Sequence, residues 1–457
     1  MMSIGRRELL AGTAAVAGGV LARPYVARAA AKTLTVWWNQ GYYPTEDQAF
    51  REMVAEWEKT SGTQVVLSFL PDAAIDSKIV SAITSGVVPD LFYAEDASGQ
   101  VIPQDAWAGK FVDVSDVVAT QKGAYSPAAL QSGRYYNNVE KKYSYYGVPL
   151  KAKALNIAVW RSLVEKAGFH ASDIPKTWDA YFNFFKPVQD SLRKQGMRHV
   201  YGLGYSVSTI EDDSRANFNQ FMIAYGGVGL VTPDGKLHVD DPQVKEAAIK
   251  AIEALTTPYK EGYVPPDAIN WAGPDNNNAF HAKEVVMTPN YSTSISAAVR
   301  SNKQEYYHDI MTSPMPLDNA GKPVPSLLEV MLAVIPTGAK NVDAAKDFLR
   351  YMIVPKNRDR ELRQALGRWL PVMPSEVHTD PYWLDPSDPH IPIAVRQGVL
   401  GPTVNWFYVF NPAYAVVNAK QVWGVAEADV IHGMPPEQAV EKAFAQIKDI
   451  FSQYQIT

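Results

Sequence analysis

Apolar positions recur along this chain with two periods. Thr33–Trp38 (TLTVWW) is a short β-rich run, and Gln64–Phe69 (QVVLSF) is another. Between them, Glu46–Thr60 sets Ala49, Phe50, Met53, Val54 and Trp57 along one helical face and stops at Ser61-Gly62. Asp72 is placed to cap a helix through Ile75, Ile79 and Ile83 that Gly86 ends, and Pro89–Ala94 follows as a third strand. This β-α-β-α-β order predicts a sheet of parallel strands covered by helices. The stretch between Trp107 and Val148 is irregular and rich in tyrosine. Gly147 and Pro149 then bracket a turn, Ala154–Val159 reads as a buried strand, and Arg161–Ala167 as a helix stopped by Gly168.

Further on, a helix is expected after Thr177, an apolar stretch at Tyr201–Tyr205 and a helix over Ala216–Tyr225 ending at Gly226-Gly227. Asp241-Pro242 opens a long helix, with proline at its first position. Asn341 is placed to cap a helix carrying Ala345, Phe348, Leu349 and Met352. An extended, acidic, proline-rich loop is expected over Pro374–Pro392, then two helices, about Pro412–His432 and Pro436–Gln453. At 457 residues, 47% of them apolar and 20% charged, the chain can build two ordinary globular domains.

The first residues follow another rule. Arg6-Arg7 precedes an Ala/Gly-rich run, Leu9–Leu21, too short to span a bilayer, and Ala27-Arg28-Ala29 offers a cleavage site with Ala31 beside it. Residues 1–31 are therefore expected to be a Tat signal peptide cleaved near 29–31, with the Tat machinery as export partner and the periplasm as destination. These residues carry a charge of +3, so removing them takes the net charge from −5 to −8. An acidic body argues against nucleic acid and anionic membranes as partners. Cysteine is absent, which excludes disulfides, thiolate metal sites, cysteine nucleophiles and a lipid-modified N-terminal cysteine.

Tyr145–Gly168, YYGVPLKAKALNIAVWRSLVEKAG, together with PKTW at Pro175–Trp178, resembles the first crossover between the two lobes of bacterial extracellular solute-binding proteins of the maltose-binding type. EWEKTSGTQVVLSF and AITSGVVPDLFYAED are similar to N-terminal motifs of that family, AFHAKEVVM and HGMPPEQAVEKA to later ones. Val159-Trp160-Arg161 departs from the aromatic-asparagine pair usual at the strand end, and Ala282 stands in place of a glycine. The resemblance implies an α/β, two-lobed periplasmic-binding-protein fold, type II-like, with crossing hinge strands. Lobe one would take 32–150 plus about 291–337, and lobe two 151–290 plus about 338–457. A second crossover is expected near Met287–Tyr291, and Leu328–Pro336 as a strand returning toward lobe two. The implied function is the binding component of an ABC importer for a sugar or polyol, a monomer serving permease subunits and their ATPase, with no cofactor and no catalysis.

No catalytic constellation emerges. The eight histidines show no H-x-x-x-H spacing, and there is no nucleophile elbow or phosphate-binding glycine loop. Asp212-Asp213 reads as half of a glycosidase pair or as a solvated turn, the second being preferred, and Asp385–Pro389 as plain loop. Open α/β sheets bind ligands beyond their strand ends. That rule selects Trp38, Asn39, Tyr42 and Tyr43 after the first strand and Asp96 after the third. Lys151 and Lys153, two residues apart on one strand face, need either partners or a cleft. Trp271, Asn290, Tyr291, Glu329, Trp369, Trp406 and Tyr408 complete the ligand-site candidates. The resemblance points Trp271, Tyr291 and Trp406 toward stacking on sugar rings, and Asp96 toward accepting sugar hydroxyls. Two alternatives stay open: a phosphorylated polyol or polyamine as ligand, and a Tat-exported glycan-processing enzyme.

Overall fold

The computed structural model describes residues 33–210 and 212–456. The expected signal peptide lies outside them. The first strands and helices form where the pattern places them: β1 (Thr33–Asn39), α1 (Pro44–Ser61), β2 (Gln64–Leu70), α2 (Asp72–Ser85) and β3 (Leu91–Tyr93). Helix α1 starts on Pro44, with Glu46 Oε1 accepting the Tyr43 N–H at 3.0 Å, and ends at Gly62 in the left-handed region. Its periodic residues Phe50, Met53, Val54 and Trp57 are buried, as is the Trp38 ring, stacked 4.0 Å from Phe50. For α2, Pro71 rather than Asp72 holds the cap position.

The irregular stretch contains short helices, Ser115–Val118 and Pro127–Ser132, and a hairpin of β4 (Arg134–Asn137) and β5 (Lys142–Tyr145). The remaining strands are β6 (Val148–Ala154), β7 (Asn156–Trp160), β8 (Tyr201–Leu203), β9 (Val285–Asn290), β10 (Ile310–Ser313), β11 (Ser326–Val334) and β12 (Thr403–Asn405). They form two main sheets. The first runs β12-β11-β3-β1-β2, with β6 antiparallel along β11; β1 is parallel to both β2 and β3. The second runs β10-β7-β9-β8.

The chain therefore passes between sheets at Leu155, again between Ser313 and Ser326, and a third time after Asn405. The crossover expected near Met287–Tyr291 is not there: β9 pairs with β7 and β8 inside the second sheet, and β10 follows it. Likewise β11 lies wholly in the first sheet, because its apolar run is sandwiched between β6 and β3.

Two cores fill the lobes. One gathers Leu34, Trp38 and Phe92 with Val148–Ala154 and Leu328–Ile335. Phe348, Trp383 and Val399, which the expected boundaries give to lobe two, pack there too. The other gathers Ile157–Trp160, Trp178, Phe221, Leu255 and Met287 with Trp406–Phe451, and takes Tyr291, Ile295 and Ile310. Side-chain packing thus places 345–399 with the first sheet and 291–310 with the second. The expected loop at Pro374–Pro392 holds helical turns, Pro374–Thr379 and Pro381–Leu384, because Val377 and Trp383 bury into the first core. The expected helix Pro412–His432 breaks into Ala413–Ala419 and Val422–Ile431, with Gln421 left-handed between them.

Two buried polar anchors tie distant segments of the first lobe. Asp90 accepts the N–H groups of Thr35 at 2.8 Å, Lys340 at 2.9 Å and Asn341 at 2.8 Å. Asn341 opens the helix Val342–Met352 without capping it by its side chain, which donates instead to the Thr33 carbonyl at 2.8 Å. Lys151, on β6, meets Glu361 at 2.6 Å, both nearly water-free, with Tyr93 and Trp369 rings under the ammonium at 4.7 and 4.8 Å. Removing one partner of such a pair strands a buried charge, a cost of about 3–5 kcal/mol. Glu361→Gln should therefore lower the thermal midpoint sharply, and Lys151→Met with Glu361→Leu should recover most of the loss. A single variant as stable as the parent in a melting experiment contradicts the pairing.

Candidate functional site

The crossover at Leu155 runs through a pair of charged side chains. Lys151 lies within the first core, whereas Lys153, one pleat further on the same face, reaches the gap between the lobes. Its ammonium sits 3.0 Å from Glu95 and 3.2 Å from Glu329, and 5.2 Å from the Tyr291 ring. Glu329 faces Lys153 across the β6–β11 ladder, so the strand register sets this pair. Glu95 follows β3 and takes a second cation, Arg368, at 2.8 Å. Burial would raise the Glu95 pKa, but Arg368 and Lys153 outweigh it and hold the carboxyl at about 2. Burial works against the Lys153 charge as well, and Glu329 and Glu95 outweigh it, pushing the ammonium pKa upward.

Around this ion network lies a narrow interlobe cavity of about 50 Å³. The first lobe contributes Asp96, Gly99, Gln100, Lys153 and Glu329. The second contributes Asp212, Asp213 and Arg215 from the start of the helix Asp212–Ala224, together with Tyr291, Trp406, Tyr408 and Asn418. Trp406 and Tyr408 lie nearly parallel, centroids 5.8 Å apart, and Tyr291 stands edge-on to Trp406 at 5.9 Å. The Trp406 indole N–H donates to the Tyr291 hydroxyl. Gly99 allows the lobes to meet here: a Cβ on it would lie 3.3 Å from the Tyr408 ring.

A larger space, about 320 Å³, opens inside the second lobe between Asp179, Tyr225 and Lys250. It holds no residue of the first sheet, so relative motion of the lobes cannot grip its contents.

Six sequence candidates line the interlobe cavity: Asp96, Lys153, Tyr291, Glu329, Trp406 and Tyr408. The others are placed elsewhere, each for a visible reason. Trp38 packs on Phe50 and Tyr93. Asn39 donates to Asp72 at 2.5 Å and accepts the Glu95 N–H at 3.0 Å, bracing the ends of β1 and β3. Lys151 is taken by Glu361, and Trp369 donates to Glu46 at 3.2 Å. Tyr42 is exposed beneath Arg368, and Tyr43 lies edge-on to it at 5.0 Å. Trp271 donates to Asp267 at 3.2 Å and is buried in the second core, while Asn290 binds Asn277 and the Ser292 N–H. Asp212-Asp213, preferred as a solvated turn, instead begins a helix at the cavity wall. Arg215, Gln100 and Asn418 also line it, and no motif in the sequence singled them out.

Two of these carboxylates hold protons unusually tightly. Burial first, then Asp212, pushes Asp96 up to about 7, against the opposing pull of Lys153; Glu95 and Asp76 add to the rise. Burial likewise pushes Asp213 up to about 6, with Asp212 and Glu329 adding, Lys153 opposing and Asn276 donating at 2.6 Å. Because these pKa values lie above the unfolded one, their contribution to stability is complete below about pH 4 and is lost as pH rises through 6 to 7. Asp96→Asn removes the titration. Its melting temperature relative to the parent should therefore climb between pH 5 and pH 8; a constant difference across that range contradicts the assignment.

A family model described as "Bacterial extracellular solute-binding protein" matches residues 52–392. A "Probable ABC transporter-binding protein" of Deinococcus radiodurans is 26% identical over 208 residues, 44% of this chain and 46% of that protein, so the match spans just under half of the relative's length. An ABC transporter solute-binding protein from Thermotoga lettingae, solved with α-D-tagatose, superposes with a TM-score of 0.70 at 21% identity, covering 92% of this chain and all of that one. A sugar transporter from Arthrobacter chlorophenolicus with bound laminaribiose gives 0.68 at 16% identity, covering 91% and 99%. At such identities the solved structures establish the two-lobed fold, and the family model establishes membership. The chain belongs to the bacterial extracellular solute-binding protein family.

Proposed function

We propose that this chain is the periplasmic binding component of an ABC importer and takes a sugar or polyol into the cavity between its lobes. The observation that carries this reading is the composition of that cavity: carboxylates and a lysine from one lobe face parallel aromatic rings and further carboxylates from the other. Carboxylates accept hydrogen bonds from paired hydroxyls, and the apolar face of a sugar ring packs on an aromatic one. Three strand crossings join the lobes, so a hinge closure would bring both walls onto the solute. The packing units we propose as the two bodies are residues 33–154 with 326–405, and 156–313 with 406–456. Export would use the Tat machinery through residues 1–31, and the loaded protein would pass its solute to permease subunits as a monomer.

A phosphorylated ligand fits this cavity poorly. Lys151 is sealed against Glu361, Lys153 is already held by two carboxylates, and Arg215 pairs with Asp212. Turnover of a glycan would need an acid placed against a nucleophile or water. The comparisons give no support to that reading, since the family is one of solute binders.

A melting-temperature screen of mono- and disaccharides tests the proposal. A ligand specific for the folded state adds about 2.7 kcal/mol of stability at a hundredfold excess over its dissociation constant. Tyr408→Phe should leave the unliganded melt unchanged and weaken the bound sugar several-fold by calorimetry. Trp271→Phe, remote from the cavity, should leave affinity as it was. Sugar release from a glycan substrate, or equal effects of the two substitutions, would overturn the reading.

A further inference from the structure

The cleft's charges do not balance. Lys153 is shared by Glu95 and Glu329, Arg368 is held by Glu95, and Arg215 is held by Asp212. That uses every cation of the cavity wall and its ion network. Asp96 and Asp213 line the same cavity, and among the described residues no Lys, Arg or His lies within salt-bridge distance of either. Asp213 has the Asn276 amide as a neutral donor, and Asp76, behind Asp96, adds one more carboxylate to the field.

One further polar group in the wall waits for a partner. Asn418 is 6% exposed, and its Oδ1 is buried with no donor. Buried polar groups are ordinarily satisfied, so this amide oxygen marks where a donor of the ligand belongs. A neutral hydroxyl can satisfy Asn418 and donate to a carboxylate. It cannot relieve the repulsion among carboxylates crowded into a low-dielectric gap, whereas a positive charge does so. A metal ion would need converging ligands, and among the described residues no three His, Asp or Glu side chains are close enough to share one. An ammonium group, with three N–H donors that can point to separate acceptors, fits carboxylates spread around a cavity.

We propose that the solute is an amine-bearing sugar whose ammonium is received by Asp96 and Asp213, while its ring rests against Trp406 and Tyr408. The inference rests on the sugar-binding reading above and narrows its ligand class.

Calorimetry on the purified chain at pH 7.5 tests it with matched pairs: glucosamine against glucose, galactosamine against galactose, and the glucosamine disaccharide of chitosan against cellobiose and N-acetylated chitobiose. Spermidine serves as an amine without a ring. The expected result is at least tenfold tighter binding of an amine sugar than of its hydroxyl and N-acetyl counterparts, with the gap closing in Asp96→Asn and Asp213→Asn. Raising the salt concentration should narrow the same gap without any substitution, which protects the test if a variant folds poorly. Equal or tighter binding of the neutral sugar overturns this inference and leaves the sugar reading standing. Binding of spermidine alone, or of no sugar in the panel, counts against both.

Discussion

Lys153 holds its ammonium between Glu95, which ends the third strand of the first sheet, and Glu329, its register partner on β11. This three-way contact lies at the point where β6 leaves the first sheet for β7 in the second, so the strand register and the chemistry of the interlobe cavity meet in one charge. Its energetic logic is that of any charge out of water: burial disfavours the ion, and only close, opposite partners restore it. Glu95 is in turn shared with Arg368, so the network runs from the cleft back toward the Lys151–Glu361 pair and the rings of Tyr93 and Trp369. The second lobe brings its groups on separate elements, the helix from Asp212, the end of β9 and the turn after β12.

That arrangement separates two kinds of charge. Those behind the cleft are satisfied within the protein and contribute positioning. Those at the cavity wall are under-compensated: burial and neighbouring carboxylates push the Asp96 and Asp213 pKa values above the ordinary aspartate range. Under the proposal above, a bound ammonium would offset that excess of negative charge. Burying the ligand between two lobes lowers the local dielectric and strengthens each such contact.

Local periodicity was enough for β1, β2, β3 and α1, because alternating strands and a helical stripe leave their mark within a few residues. It was enough for Lys153 too, since a lysine inside an apolar strand requires explanation. It could not separate Lys153 from Lys151, whose partner Glu361 lies 210 residues away. Trp38, Trp271 and Trp369 show the same limit: an aromatic near a strand end looks identical in sequence whether it faces a cleft or a core. The crossover expected at Met287–Tyr291 failed for a related reason. A fully buried run such as β9 fits any sheet, and only its pairing with β7 and β8 decides which. Asp212 and Asp213 resemble a turn in sequence, and their role is visible only once the helix they begin is seen to abut the cavity.

The central claim is that a solute bound between the lobes brings them together. The chain has no cysteine, so two introduced ones can be labelled without background. Exposed Val87 in the first lobe and Val228 in the second are suitable positions. The distance between spin labels at Val87→Cys and Val228→Cys should be measured with and without a saturating sugar identified by calorimetry. The account predicts a shifted and narrower distance distribution on binding. Superposable distributions, with the sugar demonstrably bound, would contradict it.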